Sequence, residues 1–299
     1  IQFLLLTAAF FCGVTLCTPS GAMAAEKLRV FVTIAPQAFL VERLGGEAVA
    51  VQILAAKGQD PHTFEATPKQ AAALAQAHLF FTAGLPFEHS LVAKAKAANR
   101  ALTAIDATSG IARLPMAEEV HDAHAHRGEA DPHLWLAPAN LRVMAKSMAA
   151  ALVTAQPEQK HLFQRNLATL DAELLALDRR LTASLAPYKG RAFYVFHPAF
   201  GYFAAAYGLT QKAVETGGKS PSPKRLAELV QQARADRVKV IFVQPQFDAK
   251  AATTVAQGIG GRVVAIDPMA KEVATNLAAI GSALEQAFRQ QTTGGVDSK

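Results

Sequence analysis

The chain of 299 residues carries 30 Lys and Arg against 24 Asp and Glu, which gives a formal net charge of +6. The basic residues are scattered and are not interleaved with aromatic residues, so we expect no nucleic-acid partner. The length suits one large domain or two medium domains with sizeable hydrophobic cores.

The first 25 residues contain no charged side chain and begin with a mostly apolar run. The sequence Ala-Met-Ala at positions 22–24 matches the small-x-small pattern that precedes a signal-peptidase cut. We therefore predict a cleaved secretory signal peptide over residues 1–25. Both cysteines, Cys12 and Cys17, fall inside it, so the mature protein would have no disulfide and no thiolate metal ligand.

Apolar, β-branched runs alternate with helical patterns along the rest of the chain. In a first block, the predicted strands cover residues 28–34, 48–54, 79–82 and 101–105. Helices are expected to begin near proline residues, which suit the first helical turn, at Pro36, Pro68, Pro86 and Pro138. In a second block, strands are predicted at 191–196, 209–214, 238–243 and 262–266, with helices at 224–235, at 249–257 and from the last strand to about Arg289.

A single long helical pattern, residues 157–186, separates the two blocks, with leucines recurring at helical spacing. Strands that alternate with helices imply parallel sheets covered on both faces. We therefore predict an α/β fold with two lobes, each a roughly four-stranded and mostly parallel sheet flanked by helices, joined by one long α-helix. The predicted boundaries are 26–155 for the N-terminal lobe, 156–187 for the linking helix, 188–289 for the C-terminal lobe and 290–299 for a disordered tail.

Three histidines beside prolines are candidate metal ligands. The tripeptide Asp-Pro-His ends at His62 and again at His133, and His197 follows a predicted strand and precedes a proline. Proline stiffens each of these loops, and neutral imidazole is a common metal ligand. In open α/β sheets, ligands bind beyond the carboxyl ends of the strands, where all three histidines and Asp267 are expected. The sequence therefore predicts a metal site in the cleft between the lobes.

Three imidazoles and one carboxylate suit a tetrahedral Zn²⁺ ion, whereas Mg²⁺ and Ca²⁺ prefer oxygen ligands. The fourth ligand is the open point. Asp267 is our candidate, although an aspartate before a proline can instead cap the next turn. Glu65 and Glu88 are alternative oxygen donors, for which a role behind the ligands is the preferred interpretation.

Residues 116–133 form a short acidic segment that contains His121, His124 and His126. One interpretation is an accessory metal site that captures or hands over zinc. The other is a solvated surface loop in which the histidines occur by chance. The sequence does not decide between them.

The chain resembles the zinc-binding periplasmic components of ABC importers, the ZnuA-like branch of the cluster A-I or TroA-like metal-binding family. The matching segments are residues 60–65, 131–136, 197–203, 220–223 and 266–269. The resemblance implies two α/β lobes joined by a long helix, with Zn²⁺ held between them by His62, His133, His197 and Asp267. It also implies a periplasmic, non-enzymatic protein that delivers zinc to a membrane permease, and we expect a monomer.

Two alternatives differ from this prediction in testable ways. A manganese- or iron-binding protein of the same fold is the first alternative. Manganese-binding relatives typically carry a glutamate at the third ligand position, whereas this chain has His197. A zinc hydrolase is the second, and it needs an open coordination position and a general base. The chain contains neither a His-Glu-x-x-His nor a Gly-x-Ser-x-Gly sequence.

Overall fold

The computed structural model describes residues 26–56, 58–116, 130–215 and 219–293. The predicted signal peptide over residues 1–25 lies outside these ranges. So do His121, His124 and His126 of the predicted accessory loop. Among the described helices, none combines the length and the apolar character that a membrane crossing requires.

The first lobe is a four-stranded parallel sheet with the strand order β2-β1-β3-β4. Its elements in chain order are β1 (Leu28–Ile34), α1 (Ala35–Gly45), β2 (Val49–Ala55), α2 (Pro68–Leu74), β3 (Leu79–Thr82), α3 (Glu88–Ala98), β4 (Thr103–Asp106) and α4 (Pro138–Ala155). Helix α2 begins with a capping box, in which Thr67 and Gln70 each accept a hydrogen bond from the other's backbone N–H.

The second lobe has the same topology, with the strand order β6-β5-β7-β8 and parallel pairing throughout. Its elements are β5 (Ala192–Val195), α6 (Gly201–Tyr207), β6 (Thr210–Ala213), α7 (Pro223–Ala235), β7 (Val240–Val243), α8 (Lys250–Gly258), β8 (Arg262–Ala265) and α9 (Val273–Thr293). The sequence did not predict α6, because a helix of 7 residues is too short to show a helical period.

The predicted tail from residue 290 needs a correction, because α9 continues to Thr293. The additional helical residues are held by a tertiary contact. Gln291 is buried, and its Oε1 accepts a hydrogen bond from Arg191 Nη2 at 2.6 Å. The polar sequence suggested disorder, whereas the hydrogen bond between Gln291 and Arg191 anchors the last turn of α9.

The long helix α5 (Lys160–Leu185) joins the lobes and contains 26 residues, a length of about 39 Å. It is slightly shorter than predicted, because Pro157 and Pro187 lie in 3₁₀ turns at its two ends. It packs against α1 and α4 of the first lobe and against α6 and α9 of the second. The linking helix is therefore also a core element.

Both faces of the second sheet are covered, as its sequence predicts. Phe193 and Val195 of β5 belong to the main core, whereas Tyr194 points to a separate cluster with Leu229 of α7 and Val255 of α8. This alternation is the period of two expected for a strand. The main core also contains buried residues of the first sheet, α5 and α9, so the lobes share one continuous hydrophobic core.

Candidate metal centre

The structure brings three of the predicted ligands together between the lobes. The Nε2 atom of His133 lies 3.1 Å from Nε2 of His62 and 3.3 Å from Nε2 of His197. The candidate ligand atoms of all three histidines lie within 4.8 Å of one another. His133 and His197 are buried, whereas His62 is exposed at the mouth of the site.

The spacing of these nitrogens fits a tetrahedral zinc ion. Zinc binds histidine nitrogen at about 2.0–2.1 Å, which places neighbouring ligands of a tetrahedron about 3.3 Å apart. The two measured separations of 3.1 and 3.3 Å agree with this value. A cation between the rings also gives the converging nitrogen lone pairs a common partner.

The two Asp-Pro-His sequences form the same local turn. In the first, Oδ1 of Asp60 accepts a hydrogen bond from the backbone N–H of His62 at 2.9 Å. In the second, Oδ1 of Asp131 accepts the corresponding bond from His133, also at 2.9 Å. An aspartate side chain that bonds the backbone two residues later is an Asx turn, and the proline between them stiffens it. In both tripeptides, the turn therefore fixes the backbone position of the histidine.

Two buried carboxylates hold the buried histidines from behind. Asp131 Oδ1 lies 2.8 Å from His133 Nδ1, and Glu215 Oε1 lies 2.6 Å from His197 Nδ1. Each carboxylate favours a proton on Nδ1, so that Nε2 presents its lone pair to the site. Burial lowers the pKa of His133 and thereby favours the neutral ligand form, although the hydrogen bond to Asp131 acts in the opposite direction.

The loop after β7 fixes His197 in a second way. The side-chain amide of Gln244 accepts a hydrogen bond from the backbone N–H of His197 at 3.0 Å and donates one to its carbonyl oxygen at 2.7 Å. The ring of Phe247 stacks on the imidazole with centroids 4.7 Å apart. Backbone and ring of His197 are therefore both constrained before any metal arrives.

Contacts between the lobes hold the His133 segment. Trp135 is fully buried, lies beside the His133 ring and donates from Nε1 to the carbonyl of Pro268 at 2.7 Å. Tyr202 of α6 donates to the backbone carbonyl of Asp131 at 3.1 Å. Gly201 allows this approach, since a Cβ atom at that position would lie 2.3 Å from Asp131 Oδ2.

Asp267 does not join the three-histidine group among the described residues. Its Oδ1 accepts hydrogen bonds from Met269 N–H at 2.9 Å and from Gln246 Nε2 at 2.8 Å. The first bond makes Asp267 the cap of a turn, which was the alternative that its sequence context left open.

The predicted place of Glu65 and Glu88 behind the ligands also needs a correction. Glu88 is buried but does not line the cavity of the three histidines. Its carboxylate accepts hydrogen bonds from the Thr33 hydroxyl and from the backbone N–H groups of Ala83, Gly84 and Leu85. Glu65 is exposed and lines a different cleft, beside Phe87 and Lys94. The Glu88 carboxylate therefore accepts hydrogen bonds that the backbone of the loop after β3 would otherwise lack.

The sequence analysis missed Glu215, Gln244, Gln246 and Phe247 as parts of the site. One signal was available, because all four follow predicted strands at the edge of the sheet where the histidines were expected. Nothing in the sequence connects Glu215 with His197 in particular. That pairing depends on β5 and β6 being neighbours in the sheet.

Comparisons with known proteins agree with this geometry. A sequence model of the family described as "Zinc-uptake complex component A periplasmic" matches residues 30–287. The "High-affinity zinc uptake system protein ZnuA" of Bacillus subtilis is 29% identical over 279 residues, covering 89% of this chain and 85% of the relative. A crystal structure of ZnuA superposes with a TM-score of 0.81 at 35% identity, covering 88% of this chain and 99% of the other. A zinc-bound deletion mutant of ZnuA gives a TM-score of 0.80 at 35% identity, with coverages of 88% and 98%.

Proposed function

The chain belongs to the family of periplasmic zinc-uptake components called ZnuA, and on this premise we propose that it captures Zn²⁺ between its lobes and delivers it to an ABC importer. The observation that carries the proposal is the convergence of three histidines, in which the Nε2 atom of His133 lies 3.1 Å from that of His62 and 3.3 Å from that of His197, the spacing of tetrahedral zinc ligands. His62, His133 and His197 are the proposed ligands. Zinc is here the transported cargo.

The donor set favours zinc over manganese and iron. Three imidazole nitrogens suit zinc, whereas Mn²⁺ is better served by carboxylate and water oxygens. The two carboxylates at the site, Asp131 and Glu215, bond the Nδ1 atoms on the far side of the imidazoles. They therefore orient the imidazole ligands, and the Nε2 atoms of the histidines are the atoms available to the metal.

The same arrangement disfavours a zinc hydrolase. A hydrolase needs a general base beside a metal-bound water. Asp131 and Glu215 are separated from the converging Nε2 atoms by the imidazole rings that they hold. We therefore propose a binding protein without catalytic activity, which is consistent with the transport role of its family.

The remaining parts of the proposal come from the family. Uptake in the periplasm implies export of this chain, for which residues 1–25 are the proposed signal peptide, and a membrane permease as the partner that receives zinc. We propose that the protein acts as a monomer, because one chain contributes all three histidines of the site.

The direct test is a competitive titration of chelator-stripped protein with a coloured zinc chelator. We expect one tight Zn²⁺ site per chain, and much weaker binding of Mn²⁺ in the same assay. Absence of a tight zinc site, or a preference for Mn²⁺, would contradict the proposal. Gel filtration with light scattering on the same samples measures the molar mass and tests whether the protein is a monomer.

A further inference from the structure

The cavity at the metal site is lined in part by a glutamine side chain. Gln246 lines the same small cavity as His62, His133 and His197, a space of about 10 Å³. Asp267 does not line this cavity, although its neighbours Pro268 and Met269 do. The loop after β7 therefore contributes two side chains to this cavity, the ring of Phe247 and the amide of Gln246, and only Gln246 carries polar atoms.

Hydrogen bonding fixes the orientation of this amide. The Nε2 group of Gln246 donates to Oδ1 of Asp267 at 2.8 Å. Reversing the amide would set its oxygen against the carboxylate oxygen, which offers no proton. The Oε1 atom of Gln246 is buried and receives no hydrogen bond from the described residues. A buried acceptor without a partner in the protein is costly unless a ligand satisfies it.

We propose that Asp267 is a positioning residue for zinc, whose carboxylate holds the amide of Gln246 so that Gln246 Oε1 faces the fourth coordination position. This inference rests on the proposed zinc-binding function and deepens it. Asp267 then acts on the metal through Gln246, and its hydrogen bond with Met269 N–H keeps Oδ1 in place. A neutral oxygen at the fourth position also makes the site less suited to Mn²⁺ than a carboxylate would.

The two possible roles of Asp267 are separated by the variant Asp267→Asn. An asparagine at this position loses the negative charge but keeps an oxygen that can accept from both Met269 N–H and Gln246 Nε2. A metal-ligating carboxylate would be lost in this variant, whereas a positioning acceptor would be kept. Asp267→Ala removes both, and Gln246→Leu removes the proposed oxygen while leaving Asp267 intact.

The experiment measures zinc affinity of stripped wild-type protein, the three single variants and the Asp267→Ala/Gln246→Leu double variant by chelator competition. The visible absorption spectrum of each Co²⁺-loaded protein reports the coordination geometry, and thermal unfolding checks that each variant folds. We expect Asp267→Asn to stay within about threefold of wild type with an unchanged Co²⁺ spectrum. Asp267→Ala should weaken zinc binding about tenfold, the usual size of an indirect effect. Gln246→Leu removes the proposed oxygen itself and should weaken binding at least as much, and the double variant should be no weaker than Gln246→Leu.

Two results would overturn the inference while leaving zinc binding itself in place. One is a loss of tenfold or more in Asp267→Asn together with an altered Co²⁺ spectrum, which would make Asp267 a ligand. The other is wild-type affinity in Gln246→Leu. Absence of tight zinc binding in the wild-type protein would instead refute the proposed function. If Asp267→Ala fails to fold, Asp267→Asn and Gln246→Leu still decide the question.

Discussion

The two lobes have the same sheet topology but present their ligands in different ways. In the second lobe, His197 follows β5 almost directly, and Gln244, Glu215 and Phe247 hold its backbone and ring. In the first lobe, β1 leads straight into α1 without a ligand. His62 comes instead from the long segment between β2 and α2, and it is exposed.

This difference shows that loop length, more than sheet topology, decides where a ligand is placed. A histidine next to a strand inherits the rigidity of the sheet, whereas one on a long loop needs its own turn, here formed with Asp60. We therefore regard the two buried histidines, His133 before α4 and His197 after β5, as the preformed part of the site. Zinc capture would be completed from the first lobe by His62.

Removing one ligand at a time gives the largest expected effect and tests this division. We expect His133→Ala and His197→Ala to weaken zinc binding roughly 100- to 1,000-fold, because structural zinc sites bind with about 10–16 kcal/mol shared among four donors. His62→Ala should cost less, since water can reach an exposed position and replace the imidazole. Chelator competition measures all three, with His161→Ala on the exposed face of α5 as control. Near-native affinity in His197→Ala would exclude His197 from the preformed part of the site.

The carboxylates of Asp131 and Glu215 should contribute similarly to zinc affinity but differently to stability. We expect Asp131→Ala and Glu215→Ala each to weaken zinc binding about 10- to 100-fold, because both orient a ligand. Only Asp131 also bonds a backbone N–H, so Asp131→Ala should lower the melting temperature by about 2–4 °C as well. Titration and thermal unfolding of the metal-free proteins measure the two effects. An equal loss of melting temperature in Glu215→Ala would contradict the distinction.

A smaller effect is expected from the close approach of the lobes at Gly201. The new methyl group of Gly201→Ala would collide with Asp131 Oδ2 and displace the turn that presents His133. We expect zinc affinity to fall about tenfold, comparable to the loss of other indirect ligand support. Ala205→Ser, on the exposed side of the same helix, is the control. Unchanged affinity in Gly201→Ala would mean that the turn moves without disturbing His133.

The loop after β3 should affect stability without affecting the metal. Glu88→Ala leaves the backbone N–H groups of Ala83, Gly84 and Leu85 without their acceptor, and we expect a loss of about 3 kcal/mol in the free energy of unfolding. Zinc affinity of the folded variant should equal that of wild type. Glu65→Ala, at an exposed position, serves as the control in denaturant titrations. A large drop in zinc affinity in Glu88→Ala would restore a role for this residue behind the ligands.

The smallest expected change is in overall shape. The lobes share one hydrophobic core, and α5 packs against both of them, so wide hinge closure would have to break buried contacts. We expect small-angle scattering to give nearly the same radius of gyration with and without zinc, while zinc raises the melting temperature by binding only the folded state. A marked compaction on adding zinc would show that the lobes move as independent bodies.

The sequence predicted the sheets and the three histidines that the structure brings together, because local rules decide where they lie. Strand β1 has the predicted boundaries, and proline marks the beginning of α2 and α4. The roles of Glu215 and Gln246 could not be predicted, since they depend on which strands become neighbours. Asp267 was ambiguous for a related reason, because the same Asp-Pro sequence can turn its carboxylate toward a metal or toward its own backbone.

The anchoring of the His133 segment by Trp135 and Tyr202 has a consequence for biogenesis. Trp135 donates to the carbonyl of Pro268, and Tyr202 bonds the backbone of Asp131, so parts of the chain far downstream complete the surroundings of His133. A chain that emerges from its N-terminus first would present His62 and His133 well before these anchors exist. The site therefore reaches its final arrangement only after almost the whole polypeptide has emerged and folded.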